Sequence, residues 1–359
     1  MVVHKLAPQP GEYSYVFGGR EPMIGIKPGD IVEVSTEDCF GGRVTSPDQL
    51  PSEAVPFNEM NPVSGPIHVE GAEPGDMLAV HFVSIVPARK YAVSCVLPQF
   101  GALTGTRETA MLNESLEERV WFYDIDLETW TASFKARNSD FRLQLPLDPM
   151  HGTVGVAPAG GEVRLVMTPS THGGNMDTPE ARAGTTLYLP VNVAGAMLSL
   201  GDGHARQGEG EVCGTGLESA MNSVIAVDLI KEGAAAWPRL ENDDYIMSTG
   251  STRPSRMPTG SARRTSSPGP RTSPGWTCWT PTSWSARWAW LRPPTSAIRT
   301  TQWLQNCPSG RCRVPKPTAV PTAACGKQLR TTPRGRNSHR TMEARQVSRQ
   351  TAALLRWQP

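Results

Sequence analysis

The chain has 359 residues, and its formal charge of +1 conceals two opposed halves: residues 255–359 hold 16 Arg and 2 Lys against one acid, Glu343, a balance of +17, which leaves −16 on residues 1–254. A body that acidic disfavours nucleic-acid binding, and with no run of ~18 apolar residues it offers no membrane-spanning helix. Met1 to Gly11 lack the charged start and apolar core of a secretory leader.

In chain order, Lys27-Pro28-Gly29 reads as a turn that feeds a strand from Asp30 to Val34. A second strand spans Gly65 to Val69, and the stretch from Glu70 to Asp76 is a tight turn closing on Pro74-Gly75-Asp76. Met77 to Val86 carries Leu78, Val80, Phe82 and Ile85 as a strand does. Residues 101–140 read as a long polar insertion, with a short helix from Asn113 to Val120 capped by Asn113. Gly152 to Val156 and Val163 to Met167 are strands joined by Pro158-Ala159-Gly160-Gly161. Thr185 to Val193, Ala196 to Leu200, Val224 to Leu229 and Asp244 to Met247 complete the set. Short apolar runs cut by Pro and Gly, with little helical periodicity, make residues 1–254 a mainly β body. Cys39, Cys95 and Cys213 share no motif spacing and read as reduced, buried small side chains of a cytoplasmic protein.

The chain splits at about Pro254. Beyond it there is no Asp, Phe or Tyr, yet seven of the ten Trp lie there. A segment rich in Arg, Pro, Ser and Thr without apolar periodicity does not bury enough surface to offset its ordering entropy, so residues 255–359 are expected to be disordered. They also read as an out-of-frame translation. Trp has a single codon, and starting on the third base turns Trp276-Thr277 into Asp, Cys278-Trp279 into Leu and Met257-Pro258 into Ala. Across Gly275 to Trp284 that frame permits Leu-Asp-Leu-Leu-Asp-Ala-Tyr-Glu-Leu, an amphipathic helix. A natural Arg/Pro-rich tail that binds phosphates is the weaker alternative, because seven Trp are foreign to such segments.

Two polar, glycine-rich segments hold the chemistry: Gly173-Gly174-Asn175-Met176-Asp177 and Gly201 to Glu211, separated by the strand-like run from Thr185 to Leu200. Glycine lets backbone approach a bound atom, and Asp, His, Glu and Asn hold metals or move protons, so the pair points to one site built from two loops. Asp202 and His204, two apart, project to one side of an extended segment, and Glu211 returns across a hairpin. These segments do not stand alone. Pro28-Gly29-Asp30, Asn61-Pro62-Val63-Ser64-Gly65-Pro66, Val69 to Asp76, Gly152-Thr153-Val154-Gly155-Val156-Ala157-Pro158, His172 to Asp177, Gly201 to Glu211 and Ser248-Thr249-Gly250-Ser251 follow in order. Together they resemble the acetamidase/formamidase family over most of residues 20–254. The resemblance implies a compact β-sandwich and barrel layout and hydrolysis of short aliphatic amides, formamide or acetamide, to carboxylate and ammonia. His151 departs from it, standing where an apolar residue is expected.

Amide hydrolysis needs an activated water, a stabilised oxyanion and a protonated leaving amine. A divalent metal, zinc by expectation, meets the first two needs. Asp202, His204, Asp177 and His172 are the expected ligands. Glu211 leads Glu218 as general base, Gln207 and Asn175 hold the amide or donate to its carbonyl, and Gly173 and Gly174 bring backbone to the substrate. The expected partner is a small amide, with neither nucleic acid nor membrane, and a homo-oligomer is compatible with the sequence. The rival readings are a non-catalytic β-domain that binds a small ligand and an inactive product of a damaged gene. A Glu-Lys-Cys thiol mechanism would require a Lys near Cys213, and none is near it in sequence.

Overall fold

The computed structural model describes residues 1–98, 100–101, 116–233 and 235–251, with backbone alone at 277–278 and 287–291. Its organising element is the strand Met221–Ile230, which runs antiparallel to Met77–Pro87 on one side and Asp30–Thr36 on the other, with Val227 opposite both Val80 and Asp30. Side chains alternate across a strand, and here Val32, Val34, Val80, Phe82, Ile225 and Val227 turn to the buried face. Val3–Leu6 lies parallel to Asp30–Thr36 at one edge, while Thr186–Pro190, Arg239–Glu241 and Ile246–Gly250 extend the other.

A second sheet orders Gly173–Asn175, Met150–Gly155, Leu198–His204, Val63–Val69 and Ile24–Ile26. Its Ile67, Val154, Leu198 and Leu200 share one buried cluster with Val32, Leu78, Phe82, Leu187 and Ile225 of the first. The two sheets therefore close on a common core, and the protein is mainly β, as its residue pattern implies. The turns at Pro28 and Pro74 are locked by their Asp residues: Asp30 accepts from the Val2 and Lys27 amides, and Asp76 from those of Glu73 and Glu232.

Several expectations are corrected. In the described part of the insertion expected at residues 101–140, Arg119–Asp126 and Thr131–Lys135 are strands of a third, antiparallel sheet with Tyr91–Val96 and Arg142–Pro146. The expected helix from Asn113 gives way to strand at Arg119 and Val120, and residues 113–115 lie outside the described residues. The reason is composition: Val120, Trp121, Phe122, Tyr123 and Ile125 are β-branched and aromatic residues that favour a pleated surface. Val163 to Met167 contributes only the two-residue strand Arg164–Leu165. The disorder and frame shift expected of residues 255–359 fall outside the described residues, except at Thr277–Cys278 and Arg287–Leu291. Both of these are strands, and the second pairs antiparallel with Ile246–Gly250. No helix among the described residues is long and apolar enough to cross a membrane.

Candidate active site

The strand Leu198–His204 is buried at all seven positions although it carries Asp202 and His204. Sequence reading ends it at Leu200, where Gly201-Asp202-Gly203 looks like a loop. It continues because glycine at 201 lets the backbone run against Pro62. Past His204 the chain loops out through Gln207 and Glu211 and returns to the same strand. The Leu217 carbonyl accepts from Ala205 and the Ser219 amide donates to Gly203, each at 2.7 Å. Glu218 is thereby laid opposite His204.

Asp177 arrives from the other segment. The amides of Met176 and Asp177 both donate to the Gly152 carbonyl, at 3.0 and 3.1 Å. Gly152 is the common floor: a Cβ there would stand 2.5 Å from Asp202 Oδ2 and 2.7 Å from Asp177 Oδ1. Asn61 ties the arrangement together, its Nδ2 donating to Asp202 Oδ2 at 2.8 Å and to Asn175 Oδ1 at 3.1 Å. The Thr153 hydroxyl stands 3.0 Å from Asp202 Oδ2 and 2.8 Å from Asn175 Oδ1. Asn61, Asp177, Asp202 and Glu211 all have φ between 44° and 55°. That left-handed region is uncommon for residues other than glycine, and such strain gathers at functional sites.

The hydrogen bonds fix the tautomer of His204. Gln207 Nε2 donates to the Asp177 carbonyl at 2.7 Å, which leaves Gln207 Oε1 to accept from His204 Nδ1 at 2.7 Å. His204 Nε2 then faces Asp202 Oδ1 at 3.3 Å and Glu218 Oε2 at 3.2 Å. Ionised carboxylates only accept, so Nε2 calls for a proton or a shared cation. Burial disfavours charge on His204, but the Glu218 and Asp202 carboxylates outweigh it and raise its pKa well above the usual value. Burial, and then the charge of Asp202, raises Asp177; burial, and then Asp177, raises Glu211. Burial also raises Glu218, with His204 opposing it.

These groups line a narrow polar cleft of about 20 Å³ that also includes Asn61, Cys39 and Thr215. Glu218 Oε1 accepts from the Gly216 amide at 2.7 Å, and its buried Oε2 faces His204 Nε2 at 3.2 Å. Donor atoms of Asp177, His204 and Glu211 lie within 4.8 Å of one another, as do those of Cys39, Asp202 and Glu218. Largely buried nitrogen, oxygen and sulfur donors this close together form a set that fits a divalent cation.

Of the residues expected from sequence, the structure brings together Asp177, Asp202, His204, Glu211, Glu218 and Asn175, with Gln207 bridging His204 and Asp177. His172 does not join them. Its buried ring packs edge-on against Phe17 at 5.1 Å, neither nitrogen has a hydrogen-bond partner, and burial followed by the charge of Arg164 holds its pKa down at about 4. Gly173 and Gly174 spend their backbone on the ladder with Met150–Gly155 instead of lining the cleft. Asn61, Gly152 and Thr153 went unassigned in the sequence, although each lies in a stretch that carries the family resemblance. Cys39 is buried as expected, but it forms a wall of the cleft, where burial and then Glu218 push its thiol pKa well up.

The sequence profile of the Acetamidase/Formamidase family matches residues 20–161 and 127–257. The chain belongs to the Acetamidase/Formamidase family. Among solved structures of similar proteins, the acetamidase of Yersinia enterocolitica is 39% identical with a TM-score of 0.67, over 73% of this chain and 78% of that one. An acetamidase of Bacillus halodurans is 33% identical with a TM-score of 0.63, over 73% and 82%. A formamidase of Methylophilus methylotrophus is 28% identical over 59% of this chain, which spans 62% of that protein's length.

Proposed function

We propose that this member of the family is an amidohydrolase that converts short aliphatic amides, formamide and acetamide, to carboxylate and ammonia. The observation that carries the reading is the meeting of Asp177 and Asp202 over Gly152, with His204 Nε2 between Asp202 and Glu218. Asp177, Asp202 and His204 would hold a divalent cation, which we take to be zinc. The chemistry supplied by such an ion is acidification of water and polarisation of the amide carbonyl.

The chain's own groups do the rest. Glu211, at the cleft and near Asp177 and His204, accepts the proton of the attacking water and returns it to the departing nitrogen. Glu218, whose Oε2 faces His204 Nε2, is the second candidate for that role. Asn175 presents its amide group to the substrate. Asn61 and Gln207 act through their neighbours, the first by orienting Asp202 and the second by fixing the His204 tautomer. No Lys or Arg is among the described residues lining the cleft, and the Cys39 thiol is held protonated, which argues against a thiol route. A cytoplasmic location belongs to the same proposal.

The test is ammonia release from formamide and acetamide, by this chain and by one whose frame is restored after codon 254, before and after chelation. Release that survives in metal-free protein overturns the cation. Silence from both chains overturns the amidohydrolase and favours a ligand-binding β-domain.

A further inference from the structure

Resting on that reading of the cleft, we infer that beyond formamide and acetamide the site accepts, and binds more tightly, amides with an uncharged apolar substituent larger than a methyl group, and that a separate cavity receives it. The polar cleft has room for about 20 Å³. Met60, Leu97, Phe100 and Met167 line both this cleft and a second cavity of about 440 Å³, so the two spaces adjoin at those side chains. The cavity's remaining walls include Pro51, Val55 and Phe57, and no Asp, Glu, Lys or Arg is among the described residues lining it. Among the described lining residues the one hydroxyl side chain, Ser52, is committed to the Glu118 carboxylate at 2.5 Å. Phe57 stands at the cavity and is 62% exposed.

Size and chemistry then select the occupant. A water-sized group takes roughly 30 Å³ of liquid volume. The three heavy atoms of formamide or the four of acetamide fill only a small part of 440 Å³. Small-molecule sites of about 300–1,000 Å³ are mostly apolar, with a few polar groups at one end that fix orientation. Here that polar end is the cleft of Asn175, Asp177 and His204. A charged substituent would lose water on entering these apolar walls, which favours an uncharged one. An alkyl chain or a ring of about five or six carbons fits.

The test is equilibrium binding to the full chain, by calorimetry and thermal shift, alongside release of ammonia or amine. One arm uses primary amides from formamide to octanamide, and the other uses N-alkylformamides of the same lengths. The expected result is affinity rising about fourfold per methylene up to about six carbons, in the arm whose apolar group lies on the side the cavity accepts. Phe57→Lys and Val55→Trp should each lower the ratio of hexanamide to acetamide binding at least fivefold. Phe57→Lys changes an exposed side chain and so keeps the experiment decisive if Val55→Trp fails to fold. Affinity that is flat with chain length in both arms, or a length gain that survives in Phe57→Lys, overturns the inference. Length-dependent binding without turnover of any amide would support the cavity while sinking the amidohydrolase reading. Turnover of formamide with flat binding would do the reverse.

Discussion

At Gly152 the difference between glycine and alanine is one carbon, and the site has no space for it. The atoms it would strike are carboxylate oxygens of Asp202 and Asp177, not backbone. Side-chain ends can yield, so Gly152→Ala should fold with little change in melting temperature. Its carboxylates, however, would be displaced by a few tenths of an ångström or more. Turnover should then fall on the order of a hundredfold, as misplacement of reacting groups does. Assaying activity and melting temperature on the same preparation checks this, and a variant of full activity would mean that the two aspartates do not act together. His204→Ala and Asp202→Asn should each lower turnover at least as severely and reduce bound metal. Glu211→Gln should retain the metal and still lose about a hundredfold in rate, if the group moves protons. Asn61 is a different case, because it touches the chemistry only through Asp202 and Asn175. Asn61→Leu leaves buried acceptors short of a donor and should cost about 1–3 kcal/mol of stability, measured by urea unfolding.

At the scale of elements, the chain announced its strands well and its site loops only in part. Asp30–Thr36, Met77–Pro87 and Met221–Ile230 were legible because alternate apolar residues face one core. Leu198–His204 was legible only to Leu200: glycine reads locally as a turn, and its value as a close-packing residue emerges only once Val63–Val69 lies beside it. Asp202 and His204 could be paired by spacing alone. Glu218 could not be placed opposite them, because that depends on where a thirteen-residue excursion rejoins the strand. His172 adjoins the right glycines, yet the ladder turns its ring toward Phe17, a choice no spacing reveals. One element supports a prediction about pH. Asp30 anchors the edge strand Val3–Leu6: it accepts from His4 Nε2 at 3.0 Å and from the Val2 amide at 2.7 Å. Those bonds, with that from Lys27, hold its pKa down at about 2. A carboxyl whose folded pKa is depressed contributes fully above its unfolded pKa of about 4, and the contribution is lost as pH falls through about 2. Asp30→Asn should therefore be less stable at neutral pH and show a flatter decline in urea midpoint between pH 4 and pH 2. An unchanged slope would mean that the edge strand does not depend on this charge.

At the scale of the whole molecule, the division of charge matters more than its sum. Residues 1–254 carry −16 and residues 255–359 carry +17, so a chain that is nearly neutral overall consists of two parts that attract each other and each other's copies. Net charge near zero removes the mutual repulsion that keeps proteins apart in solution, and opposite segments add a direct attraction between molecules. That attraction is long-ranged at low ionic strength and is confined to about 10 Å at 0.1 M salt. The full chain should therefore scatter light and self-associate in dilute buffer at pH 7, and it should disperse as salt is raised toward about 0.3 M. Ending the chain after Pro254 removes the positive partner, and the remaining −16 body should stay dispersed even in dilute buffer. Association driven instead by apolar surface would respond in the opposite sense, because salts that are excluded from protein surfaces strengthen burial. A salt series by light scattering on both chains separates the causes: association that grows with salt, or that persists equally after truncation, would show that the opposed charges are not what drives it.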